Sequence, residues 1–136
     1  MMFSLTGTLA VAGWLLLAVA PRWRWGSRLV APVLIPALLG LIYLVLVATA
    51  LPGAEGGFGS LDEVKELFGS PALLLAGWIH YLAFDLFIGA WQVRDAQRVG
   101  IRHLLVLPCL VLTFLLGPVG LLLFLAIRTA RGKVLA

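Results

Sequence analysis

Four long apolar stretches, nearly free of charge, constrain this chain more than any other feature. They cover about residues 3–20, 29–51, 72–91 and 103–127. An α-helix rises 1.5 Å per residue, so about 20 apolar residues cross the hydrocarbon core of a bilayer. The first stretch is at the short end of that range. The chain is 62% hydrophobic and 12% charged, whereas a soluble domain carries about 25% charged residues. It cannot clothe a compact body in charge, but it can face lipid. The expected fold is all-α: a polytopic membrane protein of 136 residues, one domain with four transmembrane helices in a compact bundle.

The breaks between and within these stretches set the expected elements. No Lys or Arg precedes the first, and Arg22, Arg24 and Arg28 follow it, the reverse of a leader peptide. It reads as a retained helix. Pro32 falls in the first turn of the second stretch, where a missing N–H costs little, and Pro36 lies deeper and predicts a kink. In the fourth, Gly117-Pro118-Val119-Gly120 interrupts the run. A cut there leaves two pieces too short to span, so a single bent helix is expected. Between the second and third, Pro52 to Gly57 is a flexible turn region. Ser60 then stands three residues before Glu63, a capping box. Leu61, Val64, Leu67 and Phe68 share one side of a short helix over about residues 61–68, opposite Asp62, Glu63 and Glu66. This is expected to lie in the membrane interface as a linker, or as a lid over a site between spans.

The net charge of +4 is not a nucleic-acid signature, because the basic residues cluster at span ends with no interleaved aromatic stripe. Cytoplasmic connections collect Lys and Arg. Arg22, Arg24 and Arg28, then Arg94, Arg98 and Arg102, place the first and third connections inside and both termini outside. Arg128, Arg131 and Lys133 near the C-terminus vote against this arrangement. Cys109, alone within an apolar run, excludes a disulfide framework and reads as a packed thiol.

The costly residues lie in the third stretch. His80 falls near the membrane midplane, and Asp85 lies about 7–8 Å further along the helix. An Asp facing lipid there costs roughly 2.5–3.5 kcal/mol, so it must face the bundle, a partner or a polar cavity. Tyr81, Asp85 and Gly89 repeat every four residues with Gln92 after them, forming one face. His80, Phe84, Phe87 and Trp91 form an adjacent aromatic face. His80 and Asp85 are about 140° apart around the axis, too far for a direct bond within one helix. Cys109, Thr113, Gly117 and Gly120 give the fourth stretch a small-residue face suited to close approach. In an antiparallel arrangement Cys109 and Thr113 come near the depth of Asp85 and His80. Arg94 is expected to snorkel or meet a carboxylate, and Asp95 to pair across the loop. Each residue also has a bland role: Asp85 can lock helices together, His80 can be a packed ring, and the aromatic stripe can be packing or lipid contact.

Several chemistries are set aside. Two His are too few for a membrane di-iron enzyme. The sequence has no HExxH, CxxC, phosphate-binding loop or dinucleotide fingerprint. No Lys lies within a span to form a Schiff base, and Cys109 has no convincing paired base. No metal or cofactor is expected.

The segment Trp78-Ile79-His80-Tyr81-Leu82-Ala83-Phe84-Asp85-Leu86-Phe87-Ile88-Gly89, then Trp91 with Arg94-Asp95, carries a resemblance. Gly100-Ile101-Arg102-His103 and Gly117-Pro118-Val119-Gly120 with Arg128 extend it. The chain resembles the small membrane proteins related to the plant abscisic-acid-deficient protein of neoxanthin synthesis, most strongly from Gly69 to Arg128. The resemblance implies a four-helix membrane protein. In plant members it implies rearrangement of a carotenoid epoxide to an allenic alcohol, an isomerisation without net electron transfer. That reaction asks for an acid near the epoxide oxygen and a base near the departing proton. His80 and Asp85 are the candidates, with Tyr81 orienting one of them and the acid–base assignment open. Phe84, Trp91, Thr113 and Arg94 are the candidate substrate contacts.

The short chain, without a Ser/Arg-rich transit segment, reads as a bacterial member, multi-pass in the inner membrane. The wider expectation is an isomerase or modifying enzyme for a carotenoid or other isoprenoid lipid. The alternative is a non-catalytic carotenoid or lipid binder, or a scaffold for another membrane enzyme. Expected partners are membrane lipids, an isoprenoid ligand, and a second copy or a membrane enzyme, with no nucleic acid.

Overall fold

The computed structural model describes residues 1–131; Lys133 lies outside them. The fold is the all-α one expected, with four helical elements long and apolar enough to cross a membrane and one short helix between the second and third. Helix α1 covers Met2–Val19. A wide-turned π-helical segment, Gly26–Leu34, leads into α2, Ile35–Ala50. Helix α3 is Leu61–Leu67, α4 is Pro71–Val99 and α5 is His103–Ala130.

The second element starts earlier than its apolar run and has no sharp kink. Pro32 and Pro36 lack the N–H that an α-turn needs, and their rings crowd the carbonyl four residues back. The widened turn relieves that crowding: Ile35 N–H bonds to Val30, five residues earlier. The capping box forms, with Ser60 Oγ accepting from Glu63 N–H at 3.2 Å and Glu63 Oε2 accepting from Gly59 N–H at 2.9 Å. Helix α4 runs two turns past its apolar stretch. Gly100, in the left-handed region at φ 76°, ends it, and Ile101 N–H closes onto Ala96 O at 2.8 Å.

Helix α4 is the hub. It packs against α1, against α2 and the wide-turned segment, and against α5. Phe3 meets Trp78 near the start of α4. At its other end Gln97 Nε2 donates to Pro21 O at 2.6 Å, and the His103 ring bonds to Ala18 O at 2.9 Å. Helices α1 and α4 therefore run in the same direction, and the first connection sits beside the third.

Helix α5 departs from the bent rod expected of it. Its backbone leaves helical geometry at Leu116 and Gly117, and the chain reverses there. Gly120 returns against Thr113 and Cys109. The Phe124 ring meets Trp91 at 5.3 Å, and Arg128 Nε meets Asp95 Oδ2 at 2.6 Å near the end of α4. A straight helix would carry residue 128 about 37 Å from residue 103. Instead, α5 is a hairpin of two arms, residues 103–115 and 118–130. Gly117 ends the first arm and Pro118 starts the second, positions that suit a residue without a side chain and one without an N–H. The sequence reading allowed for a break at this point but not for a reversal.

Candidate functional site at the tip of the helical hairpin

The reversal decides what α4 meets. Pro118 has no N–H to give to the Phe114 carbonyl four residues back. Tyr81 supplies the missing donor, its hydroxyl donating to Phe114 O at 2.6 Å. One turn further along α4, the Asp85 carboxyl lies against Gly117. A Cβ on Gly117 would come within 2.7 Å of Asp85 Oδ1, so any larger residue there has to push the carboxyl aside. Asp85 Oδ2 is shielded from solvent and has no hydrogen-bond partner. The Tyr81 hydroxyl is also within hydrogen-bonding reach of that carboxyl, but its short bond goes to Phe114 O.

Two turns below, Gln92 Nε2 donates to Thr113 Oγ1 at 3.0 Å, and Thr113 Oγ1 donates to Cys109 O at 2.7 Å, all buried. The Trp14 ring fills the space over Gly89. The expected face of Tyr81, Asp85, Gly89 and Gln92 is thus the one turned to α5 and α1. The depth match is shifted: Gly117, not Cys109 or Thr113, lies level with Asp85.

His80 goes elsewhere. It is exposed on the far side of α4, stacked on Phe84 with centroids 4.6 Å apart and 5.7 Å from the Tyr43 ring. It lines a groove of about 480 Å³ with Tyr43, Phe58 and Phe68, beside α3. Phe84 is 60% exposed, and Trp91 packs edge-on against Phe124. Arg94 lines a small recess with Trp91, Asp95 and Arg98. The structure therefore brings Tyr81 and Asp85 together with the hairpin tip, and it separates them from His80, Phe84 and Arg94.

Because α5 turns back, it leaves the half of α4 nearest Pro71 without a fourth wall. An apolar groove of about 960 Å³ occupies that space, lined by Phe3, Leu74, Trp78, Tyr81 and Leu115 among others. Pockets of a few hundred to about 1,000 Å³, apolar with a few polar groups, suit small ligands. Tyr81 belongs both to this groove and to the polar tip.

Asp95, the other carboxylate of α4, is buried. It accepts from Arg128 Nε at 2.6 Å and from Arg98 at 2.7 Å. Its expected partner across the loop is replaced by the returning arm. Sequence reading missed Phe3, Trp78 and Phe114 as site residues. Phe114 acts through its carbonyl, and the proline four residues on was the available signal. Among the described residues, no group of three His, Cys, Asp or Glu is gathered to hold a metal.

The family model described as ABA DEFICIENT 4-like matches residues 1–124, and the chain belongs to that family. No curated protein and no solved structure matches it.

Proposed function

We propose that this member of the ABA DEFICIENT 4-like family binds a long apolar isoprenoid, of carotenoid type, in the groove above the hairpin tip. Asp85, aided by Tyr81, moves a proton on that ligand. One observation carries the reading: a shielded carboxylate oxygen without a partner lies one helical turn from Tyr81, which lines an open apolar groove. A buried polar atom left unpaired costs about 1–3 kcal/mol, so it needs a reason to persist. A ligand hydroxyl supplies the missing partner by donating to Asp85, and an epoxide oxygen supplies it by accepting from Asp85 in its protonated form. An isomerisation suits the site, because a proton taken from carbon and one delivered to oxygen balance without any co-reactant. Asp85 exchanges the proton, and Tyr81 fixes the tip against which the ligand rests. The position of His80 favours a role as an aromatic wall in the second groove, with Phe84, over acid–base partnership with Asp85. Trp91, Thr113 and Arg94 act as supports of the hairpin side rather than as ligand contacts.

The purified protein and its Asp85→Asn variant, each supplied with a hydroxylated or epoxidised carotenoid, test this reading by chromatography of extracted pigment. Conversion by wild type and retention of unchanged pigment by the variant are expected. Unchanged pigment bound equally by both would replace the enzyme with a carrier. No pigment bound by either would end the proposal.

The hairpin also supports an orientation. Of the ten Lys and Arg, eight gather at the end of the bundle that holds the first connection, the third connection and Arg128–Arg131. Lys65 is at the other end, on α3. The vote of the C-terminal arginines, contrary when α5 is drawn straight, becomes concordant when it returns. The basic end then faces the cytoplasm, with the N-terminus outside and residue 131 inside. Reporter fusions at residues 1 and 131 giving signals on opposite sides of the membrane are expected. Signals on the same side would overturn this orientation.

A further inference from the structure

At the basic end, the first and third connections with the adjoining ends of α1, α4 and α5 line a half-open cavity of about 730 Å³. Two arginines, Arg22 and Arg102, line it with His103, Gln97 and Trp23, and among the described residues no acidic one does. Among the described residues the only carboxylate in an ion pair is Asp95, whose partners are Arg98 and Arg128. Arg22 and Arg102 thus hold two guanidinium charges beside one cavity with no counter-charge among the described residues. The walls are fixed in place, because Gln97 clamps Pro21 to α4 and the His103 ring clamps Ala18 to α5. Helix α5 begins at the same place without a side-chain cap, so its first N–H groups add to the positive field. The rest of the lining is apolar, with Val19, Val93 and Ile101. Trp23 and Trp25 are exposed beside it, which suits the headgroup level of a membrane.

We infer that this cavity is a phosphate site, with Arg22 and Arg102 clamping the phosphate. Guanidinium forks match phosphate oxygens in pairs, and basic pockets between membrane helices accept anionic headgroups. The apolar walls favour the phosphodiester of a membrane lipid over a free phosphate. This site is independent of the groove above the hairpin tip.

The full-length protein in nanodiscs of phosphatidylcholine with a minor share of phosphatidylglycerol tests the inference, with retained lipid read by native mass spectrometry. Wild type is expected to retain phosphatidylglycerol preferentially. The Arg22→Gln/Arg102→Gln pair is expected to lower that preference about 30-fold, at roughly fivefold per arginine. Arg24→Gln/Arg28→Gln, which removes two charges outside the cavity, is expected to leave most of it intact. Displacement of the lipid by millimolar inorganic phosphate would assign the same site to a free anion. Equal retention of both lipids by wild type, or equal losses in the two double variants, would overturn the proposal. The wild-type measurement decides even if the cavity variant fails to fold.

Discussion

Two carboxylates lie ten residues apart on α4, and their treatment is opposite. Asp95 is saturated: Arg98 and Arg128 both donate to it, and it is buried at the foot of the hairpin. Asp85 sits at the tip of the same hairpin, with one oxygen shielded and unpaired. One helix and one partner element thus build a lock at one level and an open polar site at another. The contrast separates holding from acting. A buried charge with two cationic partners has no capacity left for a ligand, whereas an unpaired acceptor one helical turn behind a groove wall has.

The largest effect is expected from unlocking Asp95. Asp95→Asn leaves the Arg128 guanidinium buried without its carboxylate, and stability should fall by about 3–5 kcal/mol. Unfolding in detergent, followed by circular dichroism, measures this. An unchanged midpoint would mean that the hairpin is not held from its foot. Next in size is Gly120→Ala. Its new Cβ meets Thr113 backbone and the Cys109 carbonyl, which cannot swing aside, so a loss of about 1–3 kcal/mol is expected. Gly117→Ala, which meets only the rotatable Asp85 carboxyl, should cost less in the same assay and should weaken pigment binding instead.

Tyr81→Phe orphans the Phe114 carbonyl, with an expected loss of about 1–2 kcal/mol and a loosened tip. Faster hydrogen exchange at residues 114–118 would register it, and unchanged exchange would remove Tyr81 from the account. The smallest effect on stability belongs to Asp85→Asn, under about 1 kcal/mol, because no protein partner of Oδ2 is lost. A large destabilisation there would give Asp85 the structural role that the comparison reserves for Asp95. Arg98→Ala is a control of similar size, since its side chain is 59% exposed against 4% for Asp95 and such pairs contribute at most about 1 kcal/mol.

Much of this was legible in the sequence. The α3 capping box follows from Ser60 and Glu63, and the polar face of α4 follows from the four-residue repeat of Tyr81, Asp85 and Gly89. The division of the candidate site was not legible. Periodicity placed His80 and Asp85 on different faces, but it could not tell which face meets another helix and which opens to a groove. The shift that sets Gly117 level with Asp85 depends on how the short turn at Gly100 seats α5 against α4.

The amino-acid sequence alone shows that the chain belongs in a membrane, how many long apolar stretches it has, and that Asp85 could not face lipid. Those properties are local or summed: apolar length and the cost of a charge in hydrocarbon. Only the tertiary structure decided that the chain turns back at Gly117. Gly-Pro permits a bend or a reversal at similar local cost. The choice between them is made by contacts distant in sequence: Arg128 with Asp95, Phe124 with Trp91, and Gly120 against Thr113. That choice leaves the groove open, with Tyr81 on its wall and Asp85 one helical turn behind it.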